Sequence, residues 1–266
     1  MSAHRSPDEP LPDRWVELEG VVNMRDAGGL PTFDGATIQP RRLLRSDNLQ
    51  DLSPTDVRTV VEVLGVSDIV DLRSDTEVST EGPGPLWHVE SLTHHHHSLF
   101  GEGRGITAEQ ALAVPDSSNR PVRDATFWSE HYLGYLATRP DSISAALDVV
   151  SRSHGATVVH CAAGKDRTGT VVALALDAAG VPHDAIIEDY ALSAERIERI
   201  IARLMPRKLY GAALKAQSVA DQAPRPETMK TILDTVQSEF GGAAGWLREQ
   251  GWQDSDVDRL RHRLTS

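Results

Sequence analysis

Ala156-Thr157-Val158-Val159-His160-Cys161-Ala162-Ala163-Gly164-Lys165-Asp166-Arg167-Thr168-Gly169 is the stretch that decides the fold. A β-branched run over 156–160 reads as a buried strand. Small residues and Gly164 follow, and Val171, Val172, Leu174 and Leu176 continue the chain as a helix. A strand passing through a tight loop into a helix builds an anion site. The loop N–H groups point inward, the positive end of the helix dipole adds to them, and no metal is needed. Gly164 permits backbone angles that a side chain would forbid.

The side chains of this loop carry chemistry. Five residues separate Cys161 from Arg167, so the loop can curl until the guanidinium meets a phosphate that the sulfur attacks from behind. The loop field stabilises a thiolate, the reactive form of cysteine. Arginine suits the clamp because its planar fork binds two phosphate oxygens and keeps its charge. Ala162, Ala163, Gly164 and Lys165 supply the cradle. Thr168 can donate to the thiolate or assist the second chemical step, and His160 is expected to hydrogen-bond the loop backbone rather than act as a base. A nucleotide-binding Walker loop fails, because Asp166 follows Lys165 where Ser or Thr is required and Val159 stands where the first glycine belongs.

Farther out, Val66–Leu72 and Trp87–Leu92 also read as strands. Helices are expected from Pro54 to Leu64, with Ser53 as N-cap, and from Ile143 to Ser151. Alternating strands and helices imply an α/β fold with a central, mostly parallel sheet. From Asp184 onward the pattern is helical, and Arg196–Ala223 is a candidate lid within a single domain spanning 14–266. Residues 1–13 read as a flexible tail and Gly101–Asp124 as a surface excursion.

Composition narrows the function. The formal charge of -12 and pI near 5.3 argue against nucleic acid or anionic membrane as partner. One cysteine cannot form an intramolecular disulfide. A lone cysteine is by default an inert core residue, a default that the loop overturns. No stretch is apolar enough for a membrane span or signal core, which suggests a cytoplasmic enzyme, or export by a signal-less route.

His160-Cys161-Ala162-Ala163-Gly164-Lys165-Asp166-Arg167-Thr168-Gly169 resembles the signature loop of a bacterial protein tyrosine phosphatase family. Asn23-Met24-Arg25-Asp26-Ala27-Gly28-Gly29 resembles that family's N-terminal box, Arg45-Ser46-Asp47 its Arg-Ser turn and Asp71-Leu72-Arg73 its strand end, while Asp189–Ser193 and Gly245–Leu264 fit its helical half. The resemblance spans roughly Trp15 to the end. It implies a cysteine-dependent phosphatase fold and activity on phosphotyrosine, often also on phosphoserine, phosphothreonine and phosphoinositides, with inorganic phosphate as product and no cofactor. Ala162 stands where a bulkier residue can sit in the family.

Protonation of the leaving oxygen needs an acid, and there is no Trp-Pro-Asp triplet to supply it. Asp166 is the choice, from its place in the loop and because the family is thought to use it; the competing view is that it pairs with Lys165 or Arg167 to shape the loop. Asp75, Asp116 and Asp124 are rivals. Asp71 and Arg73 end a strand beside the loop, where a supporting ion pair is expected. Asn23, Arg25 and Asp26 are read similarly, with Gly28 and Gly29 as turn residues. His94–His97 lie on an extended strand, so at most two can share an ion, and a site-edge strand end is expected rather than a metal site. The rival functions are a rhodanese-like sulfurtransferase and a non-catalytic phosphate-binding module.

Overall fold

The structure, a computed structural model, describes residues 14–100, 124–215 and 217–266. The tail expected over 1–13 lies outside these residues, as does the expected excursion apart from Asp124. Among the described residues five strands form one sheet in the order β1-β2-β5-β3-β4: β1 Arg25–Asp26, β2 Leu43–Ser46, β3 Val66–Asp71, β4 Thr93–His96 and β5 Ala156–His160. Only β1 is antiparallel to its neighbour; β2, β5, β3 and β4 run parallel. The helices are α1 Pro54–Arg58, α2 Asp75–Glu81, α3 Ala125–Thr138, α4 Pro140–Arg152, α5 Asp166–Ala178, α6 His183–Ala191, α7 Ile197–Leu204, α8 Gly211–Lys215, α9 Val219–Gln222, α10 Pro226–Phe240, α11 Ala243–Glu249 and α12 Asp254–Thr265.

Strand periodicity divides the core into two layers. Leu43, Val70 and Val159 face the larger layer, with Ile143 and Leu147 of α4, Leu174 of α5 and Ile232 of α10. Their neighbours Leu44, Ile69 and Val158 face the smaller layer with Val21, Leu52 and Val60. The central strands are covered on both sides, which is why they read as unbroken apolar runs. Ser53 caps α1 with the reciprocal Asp56 bond of a capping box, and the helix continues through a π-helical turn over Thr59–Val63.

Two sequence expectations change. Trp87–Leu92 is not a strand: Pro85–His88 forms a 3-10 turn and the edge strand β4 starts at Thr93. Pro85 presets the turn, and the histidines that looked like a strand end form most of the strand. Arg45 and Ser46 are not in a turn but in β2, between β1 and β5.

Register decides where the site lies. Ser46 and Asp71 both pair with His160, so three parallel strands end side by side and pass their next residues to one edge of the sheet. In α/β sheets that carboxyl edge is where ligands bind.

Candidate active site

Cys161 leaves β5 at this edge, buried, with the loop 161–165 leading into α5. Three residues of two neighbouring segments hold the loop by its carbonyls. The Asn48 N–H donates to Ala162 O at 3.0 Å, Asn23 Nδ2 to Ala163 O at 2.9 Å and Arg45 Nη2 to Gly164 O at 2.9 Å. In a trans peptide the N–H points opposite to the C=O, so the amides of Ala163, Gly164 and Lys165 face the inner side, as an anion cradle requires. Gly164 has φ +67°, and a Cβ there would lie 2.4 Å from the Ser46 carbonyl oxygen. Only glycine satisfies both demands.

Arg167, in the first turn of α5, forks onto Glu77, with Nη1 to Oε2 at 2.6 Å and Nη2 to Oε1 at 2.9 Å, and its guanidinium lies 4.7 Å from the centre of the Phe100 ring. Glu77 is fully buried. Burial alone would raise its carboxyl, but the charge and hydrogen bonds of Arg167, the Ser74 amide and the Tyr210 hydroxyl hold it below its ordinary value. The Arg167 guanidinium is correspondingly pushed up by Glu77 against the effect of burial. Asp166 meets Lys165 Nζ at 3.4 Å through Oδ1, and that oxygen also accepts from Tyr132. Lys165 is itself buried, 5.0 Å from the Trp128 ring centre, with its ammonium on the Gln222 carbonyl. The Thr168 hydroxyl is buried and makes no hydrogen bond among the described residues, so of its two expected roles the bond to the cysteine sulfur is not formed here.

Asp71 and Arg73 form the expected ion pair, with Arg73 Nε 2.9 Å from Oδ1. His160 Nδ1 lies 3.3 Å from the Cys161 carbonyl oxygen, and its Nε2 is 3.7 Å from Asp71. Burial, only partly offset by Asp71, lowers the imidazole to about 4, so it is neutral near pH 7. Behind the loop, Asp189 of α6 receives Arg14 at 2.8 Å, Arg25 at 3.2 Å and Arg45 at 2.7 Å. Asn23 links this cluster to the loop, because its Oδ1 accepts from Arg25 and its Nδ2 holds Ala163.

In front, Ile197, Ile200, Ile201 and Leu204 of α7, Leu214 of α8 and Gln222 of α9 close a cavity of about 50 Å³ over Cys161 and Arg167. Phe100, Trp128, His131 and Tyr135 complete its wall. Arg203 and Arg207 tie this cover to Asp47, Asp51 and Glu81, and Tyr210 donates to Glu77 at 2.7 Å.

The predicted residues Cys161, Asp166, Arg167, Ala162, Ala163 and Lys165 all line this cavity. Gly164, Thr168 and His160 do not line it. Of the rival acids, Asp75 lines a separate cleft beside His96, Asp124 caps α3, and Asp116 lies outside the described residues. The histidine run diverges: His94 reaches Leu86 O at 3.2 Å, His95 reaches Asp68 at 2.9 Å and His96 reaches Arg73 O at 2.7 Å.

Sequence reasoning missed Glu77, Tyr210 and Tyr132, and placed Asp189 only in the helical half, without its arginine partners. Ser74-x-x-Glu77 spacing signals Glu77 only as a capping-box residue, which it is; its second role toward Arg167 has no local signature. Tyr132 sits in a helix of aromatic residues that reads as core.

Residues 16–266 match the tyrosine phosphatase family. The triple specificity protein phosphatase PtpB of Mycobacterium tuberculosis is 28% identical over 277 aligned residues, which cover 92% of this chain and 97% of that one. A tyrosine-protein phosphatase of Nostoc commune is 27% identical over 245 residues, covering 88% of this chain and 78% of its own. These matches agree with a cysteine-dependent phosphatase and go against the sulfurtransferase alternative.

Proposed function

We propose that this chain, which belongs to the tyrosine phosphatase family, hydrolyses phosphate monoesters through a phosphocysteine at Cys161. The observation that carries the reading is the loop whose three successive carbonyls are tied outward, turning the amides of residues 163–165 toward the space over Cys161, with Arg167 at the same cavity. The Cys161 thiolate attacks phosphorus while the bond to the leaving oxygen breaks, and Asp166 gives that oxygen a proton. Water then attacks the phosphocysteine, Asp166 takes its proton, and inorganic phosphate leaves as the thiolate is restored. The loop amides and Arg167 hold the equatorial oxygens, where the transition-state charge lies.

Phosphotyrosine is the primary substrate in this reading. Extension to phosphoserine, phosphothreonine and phosphoinositides is supported by the name of the triple-specificity relative and by Lys165, whose charge inside the loop suits a polyanionic head group. The segment 196–223 acts as the lid. Its cavity has room for a few water molecules, less than an aryl phosphate needs, so substrate enters by displacing α7 to α9. The supporting residues Asp71, Arg73 and His160 keep the strand ends in register beneath the loop. Among the described residues no helix is long and apolar enough to cross a membrane.

Replacing Cys161 by Ser should abolish turnover of a phosphotyrosine peptide while leaving phosphate-analogue binding measurable, and full activity in that variant would overturn the mechanism. Parallel kinetics on phosphotyrosine, phosphoserine and phosphoinositide substrates rank the specificities.

A further inference from the structure

The carboxylate of Asp166 is asymmetrically held. Oδ1 accepts from the Tyr132 hydroxyl and lies 3.4 Å from Lys165 Nζ, whereas Oδ2 has no hydrogen-bond partner among the described residues. Tyr132 belongs to α3 and is 1% exposed. Its oxygen lies 3.0 Å from the Tyr190 hydroxyl of α6. A phenol has one proton to donate; that of Tyr132 goes to the carboxylate, so Tyr190 donates to Tyr132. Burial, reinforced by the nearby Asp166 charge, pushes both phenols above their ordinary range, and both remain O–H donors at any pH the enzyme meets.

The ring packing fixes this chain of hydroxyls in place. Tyr132 stacks on Tyr135 with centroids 5.9 Å apart and meets Tyr190 edge-on at 6.3 Å. A Cβ on Gly169 would lie 3.0 Å from Tyr190 Cδ2, so the glycine at the end of the loop motif lets Tyr190 pack directly against α5. From Gly169 through Tyr190 and Tyr132 to Asp166, the position of the carboxylate is set by three elements distant in sequence.

We propose that Tyr132, supported by Tyr190, is the positioning residue of the general acid, occupying Oδ1 so that the transferable proton is carried on Oδ2. The inference rests on the reading of Asp166 as that acid. When the proton leaves, the new carboxylate already holds the Tyr132 hydrogen bond and the Lys165 charge, and no side chain has to turn during the transfer.

Leaving-group dependence tests this. Phenolate needs a proton to depart and 2,4-dinitrophenolate does not. Tyr132→Phe should lower kcat about tenfold on phenyl phosphate and less than about twofold on 2,4-dinitrophenyl phosphate, with KM nearly unchanged. In an Asp166→Asn background the same substitution should cost nothing further on phenyl phosphate. Tyr190→Phe, which keeps Tyr132 and removes its support, should show the same pattern at smaller size. Equal losses on both substrates in the two tyrosine variants, or a full further loss on top of Asp166→Asn, would overturn the positioning role while leaving the acid in place. If Asp166→Asn itself loses no more on phenyl phosphate than on the dinitrophenyl ester, the acid assignment fails and this inference with it.

Discussion

Arg25 and Arg203 both close ion pairs beside the phosphate loop, one behind it and one in front. Behind the loop, Arg14, Arg25 and Arg45 converge on Asp189, every side chain being 3% exposed or less. In front, Arg203 and Arg207 share Asp51, whose side chain is 50% exposed. Burial makes the difference. The rear cluster is removed from water, so each partner is costly to leave unpaired, and its excess of guanidinium over carboxylate adds positive charge beneath an anion site. Arg25 is lowered to about 9 by burial and by Arg45, which still leaves it charged at neutral pH. The two pairs to Asp51 reach solvent through that carboxylate and are screened, and pairs of this kind contribute at most about 1 kcal/mol each, while Arg203 and Arg207 also hold the buried carboxylates of Asp47 and Glu81. The same chemistry is therefore wholly buried on one side and, at Asp51, open to solvent on the other.

The contrast can be broken most forcefully at Asp189. Asp189→Ala leaves three guanidinium groups facing one another in the core, and denaturant unfolding should show a loss of about 3–5 kcal/mol, with phosphatase activity falling alongside. A loss under about 1 kcal/mol would mean that the rear cluster is no more consequential than the front one.

A smaller effect comes from His160, on the floor of the loop. Its folded value near 4 lies below the ordinary 6.5. As pH falls through 6.5 the unfolded chain takes up a proton that the folded chain refuses, so stability declines from there down to about pH 4, by about 3 kcal/mol in all. Unfolding curves across this window should slope accordingly in the natural chain and flatten in His160→Gln.

The smallest stability change is expected in front. Asp51→Ala should move unfolding by less than about 1 kcal/mol yet raise kcat/KM toward a bulky phosphopeptide by freeing α7. High salt should produce part of the same gain in the natural chain and little in the variant. A large stability loss with no kinetic change would make the cover a structural element and not a lid.

How much of this was legible beforehand differs element by element. The strand from Ala156, the loop and α5 were readable because period and loop chemistry are local. The capped helix at Ser53 was readable for the same reason. Trp87–Leu92 misled because its apolar and aromatic residues satisfy a strand composition, while Pro85 commits the chain to a turn first. Strand β2 was obscured because Arg45 is a charge in a central strand, tolerated only where Asp189 and the Gly164 carbonyl receive it.

By itself the sequence determined the strand-loop-helix unit that holds Cys161, Gly164 and Arg167, and the α/β alternation, since these depend on residues within one turn or strand of each other. Only the tertiary structure decided what surrounds them. Glu77 reaches Arg167 across 90 positions and Asp189 reaches Arg14 across 175; Tyr132 reaches Asp166 across 34. Such partners are chosen by which helices and strand ends the parallel register gathers at one edge of the sheet, and buried charges and hydroxyls must find them there because water is not available to replace them.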